Sequence, residues 1–307
     1  MFNVYIRTQS IILEHKNHAR AEILSFGALL HAYALLQKNG EWFNAIQGYE
    51  NPEQARSNIT QGFRSAKLSP FVCRMKNARY RFNEQEHHCQ KHNRKGHALH
   101  GLIYDQDFQI GEQYADDNSA WIELHHHYRQ NEEGYPFCYR IDIRYTLSAE
   151  GLEIASTVSN SGTEAIPIAD GWHPYFRLGE QADTWQLYIN SQEQLEFDQD
   201  LLPTGKRIPD QRFSRASLIG DTMLDNSFVL QNHDGAACHL ENAQFRLSLY
   251  PDDSYPYLQI YIPPERQSIA LENLSGAPDC FNNGMGLHIL APNSRKTFRT
   301  RYQLSEK

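Results

Sequence analysis

Apolar and polar residues alternate with a period of two through most of this chain. Residues 139–147 read Y-R-I-D-I-R-Y-T-L, which sets Ile141, Ile143, Tyr145 and Leu147 on one face and Arg140, Asp142, Arg144 and Thr146 on the other. Successive side chains of a strand point to opposite faces, so this is the pattern of a half-buried antiparallel strand. The same reading predicts strands over 21–24, 80–82, 107–113, 120–128, 152–160, 185–190, 245–250, 257–262, 268–271 and 297–304. The N-terminal MFNVYIRTQSIILEH reads as a first strand. Turn formers stand between these runs: Asn39-Gly40, Glu150-Gly151, Asn160-Ser161-Gly162, Asp234-Gly235 and Pro251-Asp252-Asp253. One short helix is predicted over 52–56, where Asn51 can cap and Pro52 suits the first helical position. So many strands with so little helical period imply stacked antiparallel sheets, an all-β fold built as a large sandwich.

The chain has 307 residues, and all-β sandwiches reach such lengths as one unit. No low-complexity linker, internal repeat or break in composition interrupts it. The stretch 192–215 is polar and loop-rich, but strands flank it on both sides. A single domain over 1–307 is expected.

Composition narrows the class. Apolar residues make up 40% and charged residues 21%, enough for a sizeable core and too apolar for disorder. The 17 Tyr, 15 Phe and 4 Trp suit strands and the apolar walls of a binding site. A formal charge of −8 disfavours nucleic acid or an anionic membrane surface as partner. Cys73, Cys89, Cys138, Cys238 and Cys280 are odd in number and widely spaced, which fits a reducing compartment better than a disulfide framework. The N-terminus lacks the basic and apolar regions of a signal peptide, and no apolar run could span a bilayer. The expected location is the cytoplasm.

Four segments bring ionisable residues beside Gly, Pro and aromatics at the ends of strands, where scaffolds carry binding groups. In Leu99-His100-Gly101, shortly after Arg74 in P-F-V-C-R-M, glycine permits close approach of a ligand or of backbone. Taken alone, His100 reads first as a hydrogen-bonded structural histidine and Arg74 as a salt-bridge partner. In Asp170-Gly171-Trp172-His173-Pro174-Tyr175-Phe176, proline biases His173 towards extended backbone and aromatics can hold its ring. A buried, hydrogen-bonded His173 is the structural alternative. Glu272 follows Ile269-Ala270-Leu271 directly. Buried without a partner, its carboxyl would be costly and its pKa would rise into the range of a general base; a buried ion pair is the other reading. Leu224-Asp225-Asn226-Ser227-Phe228 reads first as an Asx turn.

Taken in order, these segments resemble the galactose mutarotase (aldose 1-epimerase) family. The likeness begins at Phe26-Gly27-Ala28-Leu29 and Gln47-Gly48-Tyr49 and runs through P-F-V-C-R, L-H-G, H-P-Y-F and Leu202-Pro203-Thr204-Gly205. It ends with L-D-N-S-F, the L-E-N segment and Phe281–Leu287, so it covers most of the chain. The resemblance implies a β-supersandwich with an open sugar-binding cleft. It implies Glu272 as catalytic base, His173 as catalytic acid, Arg74 and His100 as substrate contacts, and Asp225, with Asp221 four residues before it, as the carboxylate that binds sugar hydroxyls. Asn273 after the Glu and Leu102 after His100-Gly101 depart from common variants, and as lining residues they would bear on the identity of the sugar.

The chemistry suits these residue types. A hemiacetal opens when its anomeric hydroxyl loses a proton and its ring oxygen gains one; the aldehyde then rotates and closes on its other face. One base and one acid suffice, a carboxylate with an imidazolium near neutral pH, and no cofactor, metal or covalent intermediate is required. Trp172 or Tyr175 could face the sugar's apolar side. The expected activity is therefore anomer interconversion of a free aldohexose, such as glucose or galactose. A hexose-6-phosphate 1-epimerase, which would need a basic pocket, and a non-catalytic sugar-binding protein are the alternatives. Among the fifteen histidines, only the outer two of His125-His126-His127 share a strand face, and no zinc-ligand spacing follows. His87, His88, His92 and His97 lie in a polar, loop-like stretch and are read as solvated too.

Overall fold

The structure, a computed structural model, describes residues 1–231 and 234–307. Three antiparallel sheets carry the architecture. A nine-stranded sheet runs in the spatial order Gln109–Ala115, Ser119–Arg129, Cys138–Ser148, Gly151–Asn160, Arg295–Glu306, Phe245–Pro251, Cys238–Glu241, Gln186–Ile189 and Ser217–Leu218. The predicted alternation decides its faces. Tyr139, Ile141, Ile143, Tyr145 and Leu147 are all fully buried, and burying side chains of this kind contributes roughly 1.5–3 kcal/mol each. On the other face Arg140 pairs with Asp142, and Arg144 pairs with Glu123 while lying 4.1 Å over the Trp121 ring. The turn at Glu150-Gly151 requires glycine: φ is 118°, and a Cβ would meet the Tyr302 carbonyl oxygen at 2.3 Å.

An eight-stranded sheet holds the site. Its order is Pro203–Pro209, Ser191–Phe197, Asp225–Leu230, Tyr257–Tyr261, Ile269–Leu274, Gly171–His173 and Ala66–Leu68, with Tyr175–Phe176 also paired to Ile269–Leu274. It stacks on the nine-stranded sheet. Thr300 and Tyr302 donate hydrogen bonds to Asn273 Oδ1 across the layers, Phe176 packs edge-on against Tyr302, and Tyr145 meets Trp172. A five-stranded sheet from Phe2–Ile6 to Trp42–Asn44 joins the same core, with Tyr33 donating to the Tyr302 carbonyl. Beneath the site strands, Lys67 forms a fully buried ion pair with Asp170, which also accepts from Tyr255 Oη at 2.6 Å. Burial pushes the Asp170 carboxyl up and Lys67 down to about 8, and their mutual attraction opposes both.

The helix spans Pro52–Asn58, with Asn51 Oδ1 accepting from the Gln54 N–H at 2.8 Å. Three expectations need correction. The N-terminal segment is two strands, Phe2–Ile6 and Ser10–His15, because the chain reverses at Arg7-Thr8-Gln9 without Gly or Pro to mark it. The polar stretch at 192–215 carries the edge hairpin Ser191–Phe197 and Pro203–Pro209; exposure of both faces removes the apolar alternation that would reveal it. The histidine-rich stretch likewise folds into short hairpins. His87 is buried and stacked on Tyr80, and His97 Nδ1 accepts from the Asn77 N–H at 3.0 Å.

Candidate active site

Glu272 sits in Ile269–Leu274, all of whose residues are buried. The pairings Gly171↔Leu274 and Tyr175↔Ala270 share one register, which sets His173 directly opposite Glu272 on one side. Pro174 interrupts the ladder between them without shifting that register. On the other side Gln259 is the cross-strand partner of Glu272, and one strand further Asp225 pairs with Tyr261. His173, Glu272, Gln259 and Asp225 thus cross one face of four neighbouring strands. His173 Nε2 lies 3.4 Å from Glu272 Oε1, and Gln259 Nε2 donates to Asp225 Oδ1 at 2.8 Å.

Loops supply the rest. Arg74 pairs with Leu99 in a short ladder, and the His100 N–H donates to the Cys73 carbonyl at 2.9 Å. His100 and Cys73 both adopt left-handed backbone, at φ 62° and 49°, a conformation that L-residues hold only when their surroundings enforce it. Gly101 serves backbone contact and not ligand approach: a Cβ there would lie 2.3 Å from the Ser69 carbonyl oxygen. The His100 ring meets His173 edge-on at 4.9 Å, and His173 stacks on Tyr175 at 5.1 Å.

Arg74, His100, His173, Asp225 and Glu272 all line one open cavity of about 530 Å³, a volume typical of small-molecule sites. Tyr175, Phe63 and Tyr261 supply aromatic wall. Trp172 is packed beneath Lys67 and does not line it. Nor do Asp221, Asn273 or Leu102; the Asn273 side chain points between the sheets, so the departures at 102 and 273 are matters of packing. Sequence reasoning missed Cys73, Gln259 and Tyr261. The last two had a signal, because Leu258, Ile260 and Ile262 face the core and period two turns Gln259 and Tyr261 to the opposite face.

Burial dominates the electrostatics. It pushes Glu272 well above the usual carboxylate range, assisted by Asp225 and opposed by Arg74, and it depresses His173 to about 4. His100 is likewise held well below its ordinary value by burial and by His173. Both shifts favour the neutral forms, a carboxyl beside an imidazole, over the carboxylate and imidazolium expected from the sequence. In that form the pair carries one proton, with 3.4 Å between the two groups. Glu272 Oε2, His173 Nδ1 and His100 Nδ1 are buried and have no hydrogen-bond partner among the described residues, and such groups call for a ligand or water.

A donor set for a metal ion exists here too. One atom each of Cys73, His100 and Glu272 lie within 4.8 Å of one another, a mixed S, N and O set of the kind zinc accepts. His125 and His126, by contrast, engage Gln109 Oε1 and the Asp107 carbonyl on opposite faces of their strand. Among the described residues no helix is long and apolar enough to cross a membrane.

The aldose 1-epimerase family profile matches residues 9–303. The uncharacterized protein YihR of Escherichia coli K12 is 29% identical over 232 residues, 73% of either chain. The galactose mutarotase-like protein of Clostridium acetobutylicum superimposes with a TM-score of 0.87 at 16% identity, over 100% of this chain and 99% of its own. Galactose 1-epimerase of Lactobacillus acidophilus NCFM does so with a TM-score of 0.82 at 20% identity, over 100% and 98%. At these identities the likeness is one of fold, an all-β galactose mutarotase-type architecture of large antiparallel sheets.

Proposed function

The chain belongs to the aldose 1-epimerase family of isomerases, and on that premise we propose that it interconverts the α and β anomers of an aldose, as a single domain over 1–307, with Glu272 and His173 moving the protons. The observation that carries this reading is the 3.4 Å approach of His173 Nε2 to Glu272 Oε1 at the wall of an open cavity. The anomeric and ring oxygens of a hemiacetal are bonded to the same carbon, so two neighbouring side chains can each serve one of them.

In ring opening Glu272 takes the proton of the anomeric hydroxyl. The C1–O1 bond becomes a carbonyl as the C1–O5 bond breaks, and His173 delivers a proton to O5. Rotation about the C1–C2 bond turns the other carbonyl face to O5, and closure runs the transfers backwards. The cycle returns the pair to its starting state with one proton. Productive binding requires that proton on His173, so the Arg74 guanidinium, which favours the Glu272 carboxylate, acts in the needed direction. Arg74, His100 and Asp225 hold sugar hydroxyls, and Tyr175 supports the His173 ring. A reducing cytoplasmic setting suits the five cysteines, all of which are free.

Positioned acid–base groups contribute about 10²–10⁴ in rate. Glu272→Gln and His173→Asn are each expected to lose that much enzymatic mutarotation, measured by polarimetry from fresh α-sugar and corrected for the spontaneous rate. A normal rate in either folded variant removes that residue's role.

A further inference from the structure

Three guanidinium groups line the cavity that holds Glu272 and His173: Arg64, Arg74 and Arg94. Among the described residues none of the three has a carboxylate within the 4.0 Å of an ion pair, whereas Arg140, Arg144, Arg212 and Arg266 elsewhere each have one. The Arg64 guanidinium makes a long contact, 3.4 Å, from Nη1 to the Gly48 carbonyl and lies 6.0 Å from the centre of the Tyr49 ring. The lining also contains Glu265 and Asp225; Asp225 is engaged by Gln259, and Glu265 is not within ion-pair reach of any of the arginines.

The arginines divide by position. Arg74 pairs with Leu99 and lies beside Cys73 and His100, whose ring meets His173. Arg64 stands on the loop that follows Gly62 and Arg94 on a short hairpin, both outside the ladder that carries Glu272 and His173. Arg64 is fixed by an unusual loop. Gly62, Phe63 and Ser65 are all left-handed, at φ 99°, 54° and 58°, two of them non-glycine positions that are strained by about 1–3 kcal/mol each. Hydrogen bonds enforce that shape: the Ser65 N–H donates to the His173 carbonyl at 2.8 Å and the Arg64 N–H to Tyr49 Oη at 3.1 Å. Arg94 is set by the hairpin pairing Arg94↔His97, closed through left-handed Lys95 and Gly96.

A neutral sugar already finds donors and acceptors in Arg74, His100, Asp225 and Gln259. Two further guanidinium groups, with no ion-pair partner among the described residues and one of them on a strained loop, offer forked donors for oxyanions. We propose that the substrate is an anionic aldose, whose phosphate, sulfonate or carboxylate group lies away from C1 and is gripped by Arg64 and Arg94. This inference rests on the acid–base reading of Glu272 and His173.

The test uses the full-length protein and anomer exchange at equilibrium, followed by NMR. Glucose is compared with glucose 6-phosphate, glucuronate and 6-deoxy-6-sulfoglucose at fixed ionic strength. One anionic sugar is expected to exceed glucose in kcat/KM by 100-fold or more, and the identity of that sugar separates the three anions. Charge-assisted hydrogen bonds are worth about 10- to 100-fold each, so Arg64→Gln and Arg94→Gln should each lower the anionic-to-neutral ratio by that factor, mainly through KM. The Lys variants should recover part of the ratio, and unchanged unfolding midpoints would show that the fold is intact. Glucose turned over as well as every anionic sugar, or a ratio indifferent to both arginines, overturns the proposal while leaving the epimerase reading in place. Failure to turn over any of the four sugars removes both.

Discussion

Replacing Glu272 by Gln separates the function of this carboxyl from its effect on stability. In the folded protein burial raises Glu272 and depresses His173 to about 4, so the pair holds one proton to a higher pH than the unfolded chain does. Unfolded, the two groups titrate at their ordinary 4.5 and 6.5. Between those values the unfolded pair also holds one proton, on the imidazole, and the pair adds no pH dependence. Above the ordinary histidine value the unfolded pair holds none. Stability then falls as pH rises, by about 1.4 kcal/mol per pH unit, until the folded carboxyl ionises. The Gln variant lacks this proton. Its remaining His173, with a folded value below the unfolded one, adds stability as pH rises through that window and none beyond it. Urea unfolding of both proteins across the neutral range should show the variant gaining on the parent by about 1.4 kcal/mol per pH unit, while turnover drops by about 10²–10⁴, equivalent to roughly 3–5 kcal/mol of barrier. Parallel pH–stability curves would refute the reasoning, because Glu272 would then be ionised in the fold like an ordinary paired carboxylate.

The pH–rate profile should be bell-shaped, since only the singly protonated pair works: an acid limb near the depressed His173 value of about 4 and an alkaline limb where raised Glu272 loses its proton. A profile that instead titrates near 6.5, the ordinary histidine value, would mean that His173 is solvated. Lys67→Met leaves Asp170 buried without its cation and should destabilise the fold by about 3–5 kcal/mol in chemical denaturation; adding Asp170→Leu should recover much of that loss. Dialysis against EDTA should leave turnover unchanged, because the proton transfers need no metal, whereas added zinc should compete with the sugar for Cys73, His100 and Glu272, and Cys73→Ser should weaken that competition.

The sequence disclosed most where one face of a strand is buried. Residues 139–147 alternate because their sheet has a core side and a solvent side, and the burial of Tyr139 through Leu147 follows that pattern. It disclosed least where both faces are polar, as at Ser191–Phe197 and Pro203–Pro209, or where a turn lacks Gly and Pro, as after Ile6. Glu272 and His173 were visible because each is an ionisable residue in an apolar run. Arg64 and Arg94 were not, since an arginine in a loop usually meets solvent and only the folding of two separate loops onto one cavity gives these two a shared environment. The charge state of the pair was hidden for the same reason: it depends on how completely the sheet excludes water, which no local pattern records.

The distribution of strain around the cavity follows from what each group must do. Proton transfer tolerates little error in position, and His173, Glu272 and Gln259 stand on cross-strand neighbours of one ladder, whose spacing the sheet sets. The groups that would choose among sugars stand on loops, and there the backbone departs from ordinary conformations: Phe63, Ser65, Cys73 and His100 are all left-handed. Each is pinned by a hydrogen bond at or beside it, from Ser65 to His173, from Ala66 to Phe63 and from His100 to Cys73. The strain at these four residues thus lies beside the ladder and not within it, and the loop at 61–65 is tied to His173 through the Ser65 N–H. A fold arranged this way can change which sugar it accepts by exchanging side chains such as Arg64 and Arg94 on these loops while the Ser65 hydrogen bond that seats His173 stays in place.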